Sequence, residues 1–121
     1  MIKIFFSTPM FGLNEREVLK KYEDLSSVLE GRERVDYIIL DNYHKTDPPQ
    51  DLKGYDAIRM WYLATSLEIM AKADLIIFSY DWSTSRGCRI EMNVAREYKK
   101  DILYLTKDLK VRKAIRREHN E

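Results

Sequence analysis

Four short and almost uninterrupted apolar runs, Ile2 to Phe6, Tyr37 to Leu40, Leu75 to Tyr80 and Ile102 to Leu105, punctuate this chain. Between them lie longer segments whose apolar residues recur with helical period. A strand that alternates apolar with polar residues leaves one face to water, whereas a strand apolar throughout needs cover on both faces. The order therefore predicts β-α-β-α-β-α-β-α, an α/β three-layer sandwich with a mainly parallel sheet of four or five strands between helices. At 121 residues the chain has room for a single domain, residues 1–121, and so for one site.

The first helix is expected to start at Asn14, whose side chain caps it while Glu17, three residues on, reaches back. Val18, Leu19, Tyr22, Leu25 and Leu29 then share a face, and Gly31 supplies the stop. The second helix, about Asp56 to Ala73, carries one apolar stripe of Ile58, Trp61, Tyr62, Thr65 and Ile69 and another of Met60, Leu63, Leu67 and Met70. One small sheet does not cover both stripes, so a homo-oligomer, dimer or higher, is expected with this helix between subunits; a fully buried helix is the alternative. The third helix follows Gly87, with Ile90, Val94 and Tyr98 inward, and a fourth covers about Asp108 to Glu118.

Charged residues make up 34% of the chain and the net charge is +1, a balance that speaks against disorder and against a surface built for nucleic acid. Lys110, Arg112, Lys113, Arg116 and Arg117 in the tail read as a solvated helix face. The single cysteine, Cys88, allows neither an internal disulfide nor a cysteine cluster for zinc. No run approaches about eighteen consecutive apolar residues, and Met1 leads straight into a strand without a charged leader. The expectation is a cytoplasmic protein with no membrane partner, no metal and no cofactor.

In an open parallel sheet, ligands bind outside the carboxyl ends of the strands where the winding direction reverses, here between the first and third strands. That sets Ser7, Thr8, Pro9, Met10 and Gly12 opposite Asp81, Trp82, Ser85, Arg86 and Gly87. Neither loop carries GxGxxG or GxxxxGK[ST], which disfavours dinucleotide dehydrogenases and P-loop kinases. The second loop runs into Glu91, expected in the first turn of a helix, where free N–H groups hold a carboxylate ionised. There it is either a nucleophile or simply a favourable charge. An anionic ligand group is expected near Ser85, Arg86 and Gly87, although solubility explains Arg86 and Arg89 nearly as well. Trp82 and Phe11 either stack on a base or pack, and His44 either meets the ligand or is solvated. Cys88 has no histidine to activate it and reads as a small buried residue.

The segments KIFFSTPMFG and DWSTSRGCRIEMNVAREYKKDILYL resemble the two signatures of the nucleoside 2-deoxyribosyltransferase-like superfamily, most closely its small, often phage-encoded branch. The shared loops have the form strand-x-x-P-M-x-G and W-x-x-S-x-G-x-x-x-E, and the resemblance covers most of residues 1–106. It implies a Rossmann-like domain that binds a nucleoside or nucleotide. It further implies cleavage or transfer of the N-glycosidic bond through a glutamate nucleophile and a glycosyl-enzyme intermediate. The family's glutamate falls on Glu91, and a residue that contacts sugar or phosphate falls on Ser85. Two positions depart from the pattern. The first-strand tyrosine falls on Phe5, which keeps the ring without the hydroxyl, and an aspartate of the second helix that helps protonate the leaving base falls on Ser66. These departures keep a second reading open, a non-catalytic binder of a nucleotide or nucleotide-derived signal.

Overall fold

In a computed structural model that describes residues 1–31, 36–42 and 47–113, the four expected strands pair side by side. They are β1 (Ile2–Ser7), β2 (Tyr37–Leu40), β3 (Leu75–Ser79) and β4 (Asp101–Leu105). A fifth, β5 (Val111–Lys113), completes the order β2-β1-β3-β4-β5. The first four are parallel and β5 runs antiparallel to β4. Ile4 is flanked by Ile39 of β2 and Leu75 of β3, so β1 lies inside the sheet and the winding reverses beside it. The fold is α/β and Rossmann-like.

Alternate residues of these strands enter two separate cores. Ile4, Phe6 and Ile77 meet Leu25 of α1 (Glu15–Glu30) on one face. Phe5, Ile76 and Phe78 meet Met70 of α2 (Tyr55–Ala71) and Met92 and Ala95 of α3 (Arg86–Glu97) on the other. Burial on both faces is the reason the strands are apolar throughout. Register is reinforced at the strand starts, where the Lys3 N–H donates to the Asp74 carboxylate (2.9 Å) and the Asp74 N–H donates to the Lys3 carbonyl (2.7 Å).

Asn14 caps α1 as expected: its side chain accepts from the Glu17 N–H at 2.8 Å while the Glu17 carboxylate accepts from the Asn14 N–H at 3.1 Å. Of the expected inward face, Val18 and Leu25 are buried, but Leu19 is exposed because it lies about 100° round the helix from Val18. The phase of α3 also differs from expectation. Cys88, Glu91, Met92 and Ala95 face inward, Ile90 and Val94 are half-buried at the flanks, and Tyr98 is exposed.

The expected fourth helix is not formed over residues 108–113. Residues 106–109 turn back, with the Leu109 N–H donating to the Thr106 carbonyl at 3.0 Å, and β5 pairs with β4. Val111 packs on the α1 core while Arg112 and Lys113 stay exposed, giving a charged edge that discourages pairing with another chain. The remainder of that predicted helix, with Arg116 and Arg117, lies outside the described residues, as does His44.

The second helix, although mostly apolar, is not enclosed. Only Ser66 and Met70 of α2 are buried, and Met60 is 68% exposed. Among the described residues no helix is long and apolar enough to cross a membrane.

Phe78 is fully buried between the sheet and α3. Phe78→Ala is expected to lower the unfolding free energy by about 3–5 kcal/mol, against about 1 kcal/mol for Asn14→Ala at the α1 cap, both measured by denaturant titration.

Candidate functional site

At the carboxyl end of β1 the chain leaves the sheet through Thr8 and Pro9, and Lys21 of α1 holds both. Its ammonium donates to the Thr8 hydroxyl at 2.9 Å and to the Pro9 carbonyl at 3.0 Å, and lies 3.9 Å from Asp81 beyond β3. One side chain thus braces the two loops that flank the winding reversal. The turn then closes with the Leu13 N–H on the Met10 carbonyl (3.0 Å), and Gly12 takes a φ of +80° that side-chain-bearing residues rarely adopt.

Across from this loop, Ser85 caps α3 by accepting from the Cys88 N–H at 3.3 Å. Because the helix begins at Arg86, one residue before Gly87, Glu91 falls in its second turn rather than its first. There the residue is 6% exposed and its carboxyl accepts a hydrogen bond of 2.6 Å from the Ser7 hydroxyl at the end of β1. Burial pushes its pKa up to about 7, with the Ser7 hydroxyl pulling in the opposite direction. The expected stabilisation of the charged form by the helix start is therefore outweighed by loss of water.

Only one Glu91 oxygen takes a hydrogen bond from a described residue. Since no sealed-in side-chain oxygen or nitrogen is left unpartnered among the described residues, the other oxygen opens on space. That space is a cavity of about 510 Å³. Its wall is built by Thr8, Met10 and Gly12 from the first loop and by Ser85, Gly87 and Cys88 with Glu91 from α3. Burial pushes the Cys88 thiol up, away from nucleophilic character. Asn42, beyond β2, also lines it and accepts from the Tyr22 hydroxyl, whose phenol burial keeps neutral well above its ordinary range.

The remaining expected site residues lie around this cavity rather than on its wall. Phe5 is wholly buried in the core, Ser7 acts through Glu91, and Pro9 offers its carbonyl to Lys21. Asp81 accepts from the Ser79 hydroxyl at 2.7 Å. Trp82 stands edge-on to Phe78 with ring centroids 5.8 Å apart, a packing role. Arg86 turns outward to Asp56 at 3.0 Å.

The opposite wall comes from α2, which the position of the winding reversal does not indicate. Tyr55, Arg59, Tyr62, Leu63 and Ser66 line it, at the three- and four-residue spacing of one helix face. Burial rises along this stripe, from Tyr55, 58% exposed at the mouth, to Ser66 within. At the mouth the Arg59 guanidinium lies 4.3 Å from the centre of the Phe11 ring and 5.4 Å from that of Tyr55, and donates to the Tyr55 hydroxyl at 2.7 Å. Among the described residues Glu91 is the sole carboxylate on the wall, and no three His, Cys, Asp or Glu side chains gather to hold a metal.

A family model described as a domain of unknown function, DUF4406, matches residues 2–104. The chain belongs to that family. No curated protein matches its sequence. Among solved structures, this DUF4406 chain is similar to a 2-deoxyribosyltransferase from the psychrotolerant bacterium Bacillus psychrosaccharolyticus, described as a biocatalyst for the synthesis of nucleosides. The TM-score is 0.54 at 17% identity, covering 86% of this chain and 72% of that one. At that distance the likeness shows a shared fold.

A carboxyl whose folded pKa of about 7 lies above its ordinary 4.5 makes the folded state bind more protons between those values. Its ionisation therefore weakens the fold as pH rises through that window, by on the order of 3 kcal/mol once complete. Glu91→Gln, which keeps the acceptor for Ser7, is expected to raise the melting temperature of this DUF4406 protein at pH 8 and leave it unchanged at pH 4. A lower melting temperature at pH 8 contradicts the assignment.

Proposed function

We propose that the cavity binds a nucleoside or nucleotide and that Glu91 cleaves or transfers its N-glycosidic bond. The observation that carries this reading is the carboxylate itself, buried, held through one oxygen by Ser7 and opening on the cavity with the other. A fixed and poorly hydrated carboxylate suits attack on the anomeric carbon. The Glu91 oxygen bonds to C1′ as the bond from C1′ to the base nitrogen breaks, the electron pair leaves with the base, and the base takes a proton from solvent. Water or a second base then displaces Glu91 from C1′, and its proton balances the first. The similar fold of a nucleoside-making enzyme supports the choice of substrate class.

One observation favours the second reading, a binder without turnover. Ser66 lines the cavity where the resemblance implies an aspartate, and no other carboxylate among the described residues is on the wall to assist the leaving base. Free-base release and thermal shift, measured together over a panel of nucleosides and nucleotides, separate the readings: release selects the enzyme, a shift without release selects the binder.

The exposed apolar surface of α2, Met60 above all, supports a homo-oligomer in which this helix is shared; a cytoplasmic setting belongs to the same reading. Sedimentation at micromolar concentration is expected to give at least twice the 14.5 kDa chain mass; a monomer contradicts it.

For the enzyme reading, only ionised Glu91 attacks. With its pKa at about 7, base release is expected to fall roughly a hundredfold from pH 8 to pH 5 and to rise no further above pH 8. Glu91→Gln is expected to lose orders of magnitude in turnover at every pH while retaining the thermal shift.

A further inference from the structure

We propose that the ligand is a phosphorylated nucleoside, a nucleoside 5′-monophosphate, and that Arg59 holds its phosphate at the mouth of the cavity. This rests on the reading above for the position of the sugar against Glu91. Arg59 is the one basic residue among the described residues that line the cavity. Its guanidinium is oriented by Phe11 and Tyr55 and spends one of its five N–H groups on the Tyr55 hydroxyl. No carboxylate among the described residues pairs with it, whereas Arg86 is neutralised by Asp56. A cation fixed in place, with donors left over and no counter-charge, is suited to bidentate recognition of a phosphate.

Position favours the mouth over the start of α3. A phosphate beside Ser85 and Gly87 would sit within two helical turns of Glu91 and oppose its ionisation, and the Ser85 hydroxyl already accepts from the Cys88 N–H. Arg59 instead lies seven residues from Ser66, about 10 Å along α2. Arg59 thus holds the mouth end of the α2 stripe, away from its buried end at Ser66. A sugar whose anomeric carbon faces Glu91 carries its 5′ substituent several bonds away, within the same cavity that Arg59 lines.

Calorimetric titration of the full chain with paired nucleosides and their 5′-monophosphates, and with inorganic phosphate alone, tests the assignment. The monophosphate is expected to bind roughly tenfold or more tightly than its nucleoside. Arg59→Gln is expected to abolish that advantage and leave nucleoside affinity in place, and Arg59→Lys to restore part of it. Arg59 is half-buried at the surface, and an unchanged near-ultraviolet dichroism spectrum of each variant establishes that the fold is kept. Four results overturn the proposal: equal affinity for nucleoside and monophosphate, equal weakening of both by Arg59→Gln, inorganic phosphate binding as tightly as the monophosphate, or no binding of any monophosphate. If the Arg59-dependent preference is present without base release, the phosphate assignment stands and the glycosidic reading fails. If nucleosides and monophosphates are cleaved with equal kcat/KM, the reverse holds.

Discussion

Ser7 and Glu91, 84 residues apart in sequence, meet through one buried hydrogen bond of 2.6 Å. That contact requires β1 to lie inside the sheet beside β3, and α3 to pack over the carboxyl end of β1. It also requires α3 to turn its Cys88, Glu91, Met92 and Ala95 face inward. A carboxyl taken out of water is costly to ionise, and one neutral hydroxyl offsets only part of that cost. The fold therefore carries a group that weakens it at neutral pH, a condition that clusters at functional sites.

The rest of the site gives that group a defined surrounding. Lys21 braces the loop after β1 against the loop after β3, so the first cavity wall is set by α1 as well as by the sheet. The second wall is a stripe of α2, polar within at Ser66, apolar at Leu63, aromatic and cationic at the mouth. The mouth thus offers a cation and aromatic faces, and the interior a hydroxyl. The stripe is a sharper guide to a ligand than the fold, because one fold hosts many activities.

The sheet was legible from the sequence because burial on both faces leaves a nearly unbroken apolar run, and the winding reversal followed from that order. β5 was not legible: three residues, two of them charged, give too short a run to set against a helical reading of the basic tail. The phase of α3 was misread because Ile90, Val94 and Tyr98 are more apolar than the face that is buried. A glutamate within an otherwise small and apolar stripe, at spacings of three and four, was the available signal. On α2, periodicity identifies a covered stripe but does not distinguish cover by protein from cover by a ligand. The pairing of Arg86 with Asp56, 30 residues away, depends on how α2 and α3 lie together, which no local pattern reports.

Glu91 as the atom-bonding group is the claim on which the account turns, and trapping the intermediate tests it directly. The protein is acid-quenched during incubation with a nucleotide analogue bearing fluorine at the sugar 2′ position, which slows departure of the sugar, and is then digested and weighed by mass spectrometry. The account predicts a sugar-phosphate adduct on the peptide containing Glu91, absent from Glu91→Gln. Base release with no adduct, or with an adduct on another residue, contradicts it.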